Sequence, residues 1–151
     1  MKLLLVDDDA RILETLKRMV SRLGHEADCV NNAVDAARLV QSGQYDFVLL
    51  DVQMAGRSGV WFMENAKIPA GTKVLVMSGY AALQDVERML RLDAGARLPK
   101  PFGMDQIAKM LAGDMQPAKR IEARLDHIFN PDGPADSGRT LICMRELGLA
   151  I

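Results

Sequence analysis

The stretch "LLLVDDDARILETL" (residues 3–16) runs an apolar segment directly into three carboxylates, Asp7, Asp8 and Asp9, and then into an amphipathic pattern. The apolar half reads as a buried strand and the second half as a helix beginning near Ala10. One aspartate suffices to cap that helix, its side-chain oxygen accepting a free backbone N–H. Three are more than a cap needs. Unit charges about 4 Å apart repel by roughly 4 kcal/mol at an effective dielectric near 20. If these groups converge, something positive has to sit among them.

The same strand-to-helix transition recurs along the chain. "KLLLV" (2–6), "FVLL" (47–50), "KVLVM" (73–77) and the shorter "RLP" (97–99) are continuous apolar runs, with "EADCV" (26–30) a fifth candidate. Such runs suit strands buried on both faces, as in a parallel sheet. Between them lie helical stripes. Ile12, Leu16, Met19, Val20 and Leu23 form the first, followed by Gly24 as a C-cap glycine. Ala33, Ala37 and Val40 form the second, before Ser42-Gly43, and segment 59–66 is the third helix. Leu83, Val86 and Leu90 form the fourth stripe, and Met104, Ile107, Ala108 and Leu111 the fifth. Strand and helix thus alternate five times, which predicts a doubly wound α/β sheet with right-handed crossovers. Ligands of such sheets sit at the carboxyl ends of the strands.

Composition bounds the rest. The 151 residues, 49% hydrophobic and 26% charged, give room for one soluble domain and an appendage. A net charge of −1 offers no sign of a nucleic-acid or membrane surface. No apolar run nears the roughly 18 residues of a spanning helix, and Met1-Lys2-Leu3 does not open a signal peptide. Cys29 and Cys143 belong to no C-x-x-C pair and read as free thiols of a reducing cytoplasm.

The carboxyl ends of the strands carry Asp7-Asp8-Asp9, then Asp51, Ser78-Gly79 and Lys100-Pro101. An acidic cluster, a hydroxyl and a lysine on one rim answer the crowding of charge. The carboxylates gather a hard divalent cation, Mg²⁺, which binds one or two carboxylates and leaves its other positions to water and phosphate oxygens. The lysine and hydroxyl suit the oxygens of a transferred phosphoryl group.

Here the chain resembles the receiver domain of two-component response regulators, over about residues 1–112. The resemblance rests on "LLLVDDD" (3–9), "YDFVLLDVQMAGRSGV" (45–60), "VLVMSGYA" (74–81) and "LPKPF" (98–102), in that order and spacing. It implies a flavodoxin-like five-stranded parallel sheet of strand order 2-1-3-4-5. It implies a phosphoacceptor signalling protein, not a turnover enzyme, that takes a phosphoryl group on Asp51 from a sensor histidine kinase or phosphotransfer protein. Mg²⁺ would be held by Asp8, Asp51 and the backbone carbonyl of Gln53, with Asp7 acting through water. Ser78 and Lys100 would hold the phosphoryl group. Gln53 and Tyr80 would modulate its hydrolysis, and the Lys100–Pro101 peptide would be cis. Asp9 would cap the first helix.

The chain also departs from that pattern. Ala55 stands where proline is common, Arg97 where an aromatic switch residue is usual, and Asp93 where glycine is frequent. Beyond Ala112 the resemblance ends. Residues 113–151 read as an extension with an amphipathic segment, 117–129, striped by Ile121, Leu125, Ile128 and Phe129. With five Lys/Arg and six Asp/Glu it does not read as a DNA-binding output domain, and its stripe predicts self-docking, a homodimer or an output partner. Two other readings stay open. One is a receiver-like interaction module without phosphorylation. The other is a haloacid-dehalogenase-like phosphatase, with Asp7 as nucleophile and Asp9 as general acid, which leaves Asp51 without a role.

Overall fold

The computed structural model describes residues 1–41, 44–79 and 83–114, with the side chain of Leu83 excepted. Five strands, β1 (Lys2–Val6), β2 (Glu26–Val30), β3 (Phe47–Asp51), β4 (Lys73–Ser78) and β5 (Ala96–Pro99), alternate with five helices. These are α1 (Ala10–Arg22), α2 (Ala33–Gln41), α3 (Gly59–Asn65), α4 (Leu83–Arg91) and α5 (Met104–Leu111). All strand pairs are parallel, in the order β2-β1-β3-β4-β5. The doubly wound, flavodoxin-like architecture is therefore as expected, and the extension beyond Asp114 lies outside the described residues, as do Tyr80 and Ser42-Gly43.

Each strand's alternation splits the interior into two cores. Leu4, Val6, Val48, Leu50, Val74 and Val76 face α2, α3 and α4. Leu3, Leu5, Phe47, Leu49, Leu75, Met77, Ala96 and Leu98 face α1 and α5. Every residue of β3 is buried, which is why its sequence is apolar without a break up to Asp51. The edge strand β2 mixes half-buried and exposed positions, and its sequence is correspondingly less apolar.

Helix ends follow local chemistry. Asp9 is the N-cap of α1, accepting from the Arg11 N–H at 2.9 Å. Gly24, with φ +80°, ends α1 in a Schellman turn: its N–H reaches the Ser21 carbonyl and the His25 N–H reaches that of Val20. Asp93 makes the same turn after α4 at φ 71°, with its N–H on Leu90 and that of Ala94 on Met89. A glycine is the unstrained residue there, which gives the departure at this position a physical meaning.

The expected α1 stripe faces the core, with Leu13 added to it, and the α5 stripe departs from expectation at Met104 and Met110. The buried stripe of α1 is Leu13, Leu16 and Val20, while Ile12 and Met19 are only partly covered. They line, with Thr15, Phe102 and Lys100, an open cleft of about 680 Å³ beside the fifth strand's end. In α5 the buried residues are Ile107, Met110 and Leu111; Met104, in the first turn, is exposed.

Candidate functional site

The winding of the chain brings the ends of β1, β3, β4 and β5 to one rim. Asp7 follows β1 directly, and its Oδ1 accepts the N–H of Asp9 at 2.9 Å, which fixes the carboxylate inward. Asp51 ends β3 next to Met77 of β4. Gly59, at the start of α3, packs so closely that a Cβ there would lie 2.5 Å from the Asp51 carbonyl oxygen. Its N–H bonds the Val52 carbonyl at 3.0 Å, and Ser58 caps the same helix. The loop 52–58 is thus clamped at its far end by α3.

Asp7 and Asp51 are 1% and 6% exposed, and Asp8 is exposed. One oxygen from each of the three lies within 4.8 Å of the others. The positive group demanded by this crowding is Lys100. Its ammonium stands 2.8 Å from Asp7 Oδ2 and 3.0 Å from Asp51 Oδ1. It is held there through its own N–H, which donates to the Ser78 carbonyl at 2.8 Å, and the Lys100–Pro101 peptide is cis. Asp8 Oδ2 accepts the Ala55 N–H at 2.8 Å and so tethers the loop that follows Asp51.

The electrostatics follow from this geometry. Burial raises the pKa of Asp51; Lys100 offsets this only partly, and the Asp7 charge adds to the rise. Burial also pulls Lys100 down, but its bond to Asp7 and the charge of Asp51 outweigh that and keep the ammonium above its ordinary value. Three carboxylates against one ammonium leave two negative charges in excess. Hard oxygen donors with that excess fit one divalent cation of the Mg²⁺ kind. Asp9 takes no part: its hydrogen bond from the Arg11 side chain holds it at a pKa of about 2, and its carboxylate turns to the helix.

Ser78 is 1% exposed at the end of β4, and its Oγ accepts from Arg97 Nε at 2.7 Å. Nothing in the sequence points to this pairing, since Arg97 is legible there only as the absence of an aromatic ring. Gln53 is exposed beside Asp51, and the expected role of Tyr80 falls outside the described residues.

Comparison with known proteins agrees with this picture. Residues 3–112 match the response regulator receiver domain family. The chain belongs to that family. It is 34% identical over 103 residues to a CpxR homolog, a transcriptional regulatory protein of Haemophilus influenzae, covering 67% of this chain and 44% of that protein. It is 32% identical over 138 residues to the response regulator MprA of Mycobacterium sp. (strain KMS), covering 89% and 56%. The chain spans about half the length of the curated relatives it matches. Among solved structures, a CheY-like receiver domain protein of Methanospirillum hungatei superposes with a TM-score of 0.70 at 23% identity, over 82% of this chain and 97% of that one. The response regulator TrrA of Thermotoga maritima, in complex with Mg(2+)-BeF, gives 0.65 at 28% identity, over 74% and 96%.

Proposed function

We propose that this protein is a phosphoacceptor whose Asp51 takes a phosphoryl group from the phosphohistidine of a sensor kinase or phosphotransfer protein. The observation that carries the reading is the Lys100 ammonium bridging Asp7 and Asp51 at 2.8 and 3.0 Å on an acidic rim. An Asp51 oxygen attacks phosphorus, a P–O bond forms and the P–N bond of the donor breaks. The electron pair returns to the imidazole nitrogen, which takes a proton from solvent. Lys100 neutralises one oxygen of the transferred group, and the Ser78 hydroxyl donates to another. Asp8, Asp51 and the Gln53 carbonyl would hold Mg²⁺, with Asp7 through water. Bound there, the ion supplies neutralisation of phosphoryl and carboxylate charge. Gln53 and Tyr80 would tune the lifetime of the aspartyl phosphate. We assign residues 1–112 to this receiver and 113–151 to an extension that docks or dimerises, in a cytoplasmic protein that signals by a change of shape.

The phosphatase alternative is not favoured, because Asp9 caps α1 and pairs with the Arg11 side chain, which holds its carboxyl low, and because it leaves Asp51 without a role. A module indifferent to phosphorylation leaves the buried Asp7–Lys100–Asp51 arrangement without a use. The test is intact-mass measurement after acetyl phosphate with Mg²⁺. Wild type should gain one phosphoryl mass and Asp51→Asn none. An equal gain in the mutant would move the acceptor elsewhere.

A further inference from the structure

Arg97 is half-buried, unlike an ordinary surface arginine, and the sheet register explains where it goes. It pairs with Val76, two residues before Ser78. Ala96 and Leu98 point into the α1–α5 core, so the period of two sends Arg97 to the opposite face, with Val76 and Ser78. The guanidinium reaches along that face to the rim and donates from Nε to Ser78 Oγ at 2.7 Å.

A serine hydroxyl has one proton to give and two lone pairs to accept with. Arg97 occupies one lone pair and leaves the proton available. A cationic donor on that oxygen polarises the O–H and makes it a stronger donor, and it also fixes the rotamer in advance. Lys100 cannot do this, because its ammonium is committed to the two carboxylates and only its backbone N–H touches Ser78.

We propose that Arg97 is a positioning residue of the phosphoryl site, holding and polarising the Ser78 hydroxyl for the anionic group on Asp51. The inference rests on the phosphoacceptor reading above and deepens it. It also assigns a route out of the site. The group on Asp51 pulls on Ser78, Ser78 pulls on Arg97, and Arg97 lies on the α4 side of the edge strand. In this chain a charged hydrogen bond replaces the movement of an aromatic ring.

The test titrates the full chain with beryllofluoride, whose fluorines stand in for phosphoryl oxygens, in saturating Mg²⁺. Wild type, Ser78→Ala, Arg97→Ala, Arg97→Lys and the Ser78→Ala/Arg97→Ala double variant are compared. Arg97→Ala should weaken binding about tenfold, and Arg97→Lys, which keeps a cationic donor, should lose less. In the Ser78→Ala background the Arg97 substitution should have almost no further effect, because its route to the ligand is already gone. That equality also certifies that loss of Arg97 leaves the fold intact. Arg97→Ala binding as tightly as wild type would overturn the proposal, and so would a full additional loss in the double variant. Failure of wild type itself to bind beryllofluoride would sink the phosphoacceptor reading instead.

Discussion

Asp51 carries an internal conflict: it is the buried end of an apolar strand, yet the proposed phosphoryl transfer needs it as a carboxylate. Because burial raises its pKa above 3.8, the folded protein holds the Asp51 proton more tightly than the unfolded chain does. The group therefore adds stability below the unfolded value and loses that contribution as pH rises through the raised folded value. At neutral pH, without metal, the charged form opposes the fold. Asp51→Asn should raise the melting temperature at pH 7 in EDTA by roughly 4 °C, the effect of about 1 kcal/mol in a domain of this size. The gain should shrink as pH falls through the raised folded value toward 3.8, and be gone below 3.8, where wild type is protonated in both states. A mutant that melts lower at pH 7 would mean the Lys100 ion pair outweighs burial. At this scale the acidic rim, Asp51, Ser78 and Lys100 were legible, because strand ends in a doubly wound sheet converge whatever the loops do. The Arg97–Ser78 bond was not. Its reading needs the register between β4 and β5, and a short strand containing an arginine gives no sign of which face that arginine takes.

The elements were easier to read than their edges. Continuous apolar runs marked β1, β3 and β4, while the weaker "RLP" and the mixed "EADCV", with exposed Glu26 and Cys29, proved to be the edge strands β5 and β2. Helix faces were less legible at their margins, since Ile12 and Met19 pack against the core with one side and line a cleft with the other. "MAGRSG" (54–59) reads as an ordinary turn by composition, which hid the serine cap and the close approach of α3. That approach makes Gly59 a sensitive position. A Cβ would meet the Asp51 carbonyl oxygen at 2.5 Å and the Val52 Cα at 3.2 Å, both backbone atoms that cannot swing aside. Gly59→Ala should destabilise the protein by about 1–3 kcal/mol, as overpacking does. It should also slow phosphoryl uptake, since the strain falls on the acceptor's own backbone. Urea denaturation reads the first effect and the acetyl phosphate mass assay the second. An unchanged urea midpoint would show that the helix start can retreat without strain.

At the scale of the molecule, periodicity gives alternation but not strand order, because any permutation of five buried strands has the same apolar pattern. The order 2-1-3-4-5 came from the family resemblance, and the structure has it. It puts β3, buried throughout, in the centre with Asp51 at its tip, so the site and both cores hang on one strand. Global stability should then report on the site. An ion that binds only the folded state stabilises by RT ln(1 + [L]/Kd), about 2.7 kcal/mol at a hundredfold excess over Kd. For a receiver of this size that is an upward shift of about 10 °C in melting temperature. Mg²⁺ should produce such a shift in wild type, and EDTA should reverse it. In Asp8→Ala the shift should be largely lost, because a proposed ligand has gone and the Ala55 N–H has lost its carboxylate partner. Calorimetry of both proteins with and without Mg²⁺ decides the matter. A shift of equal size in Asp8→Ala would take that residue out of the metal site and leave it only its tether to the loop after Asp51.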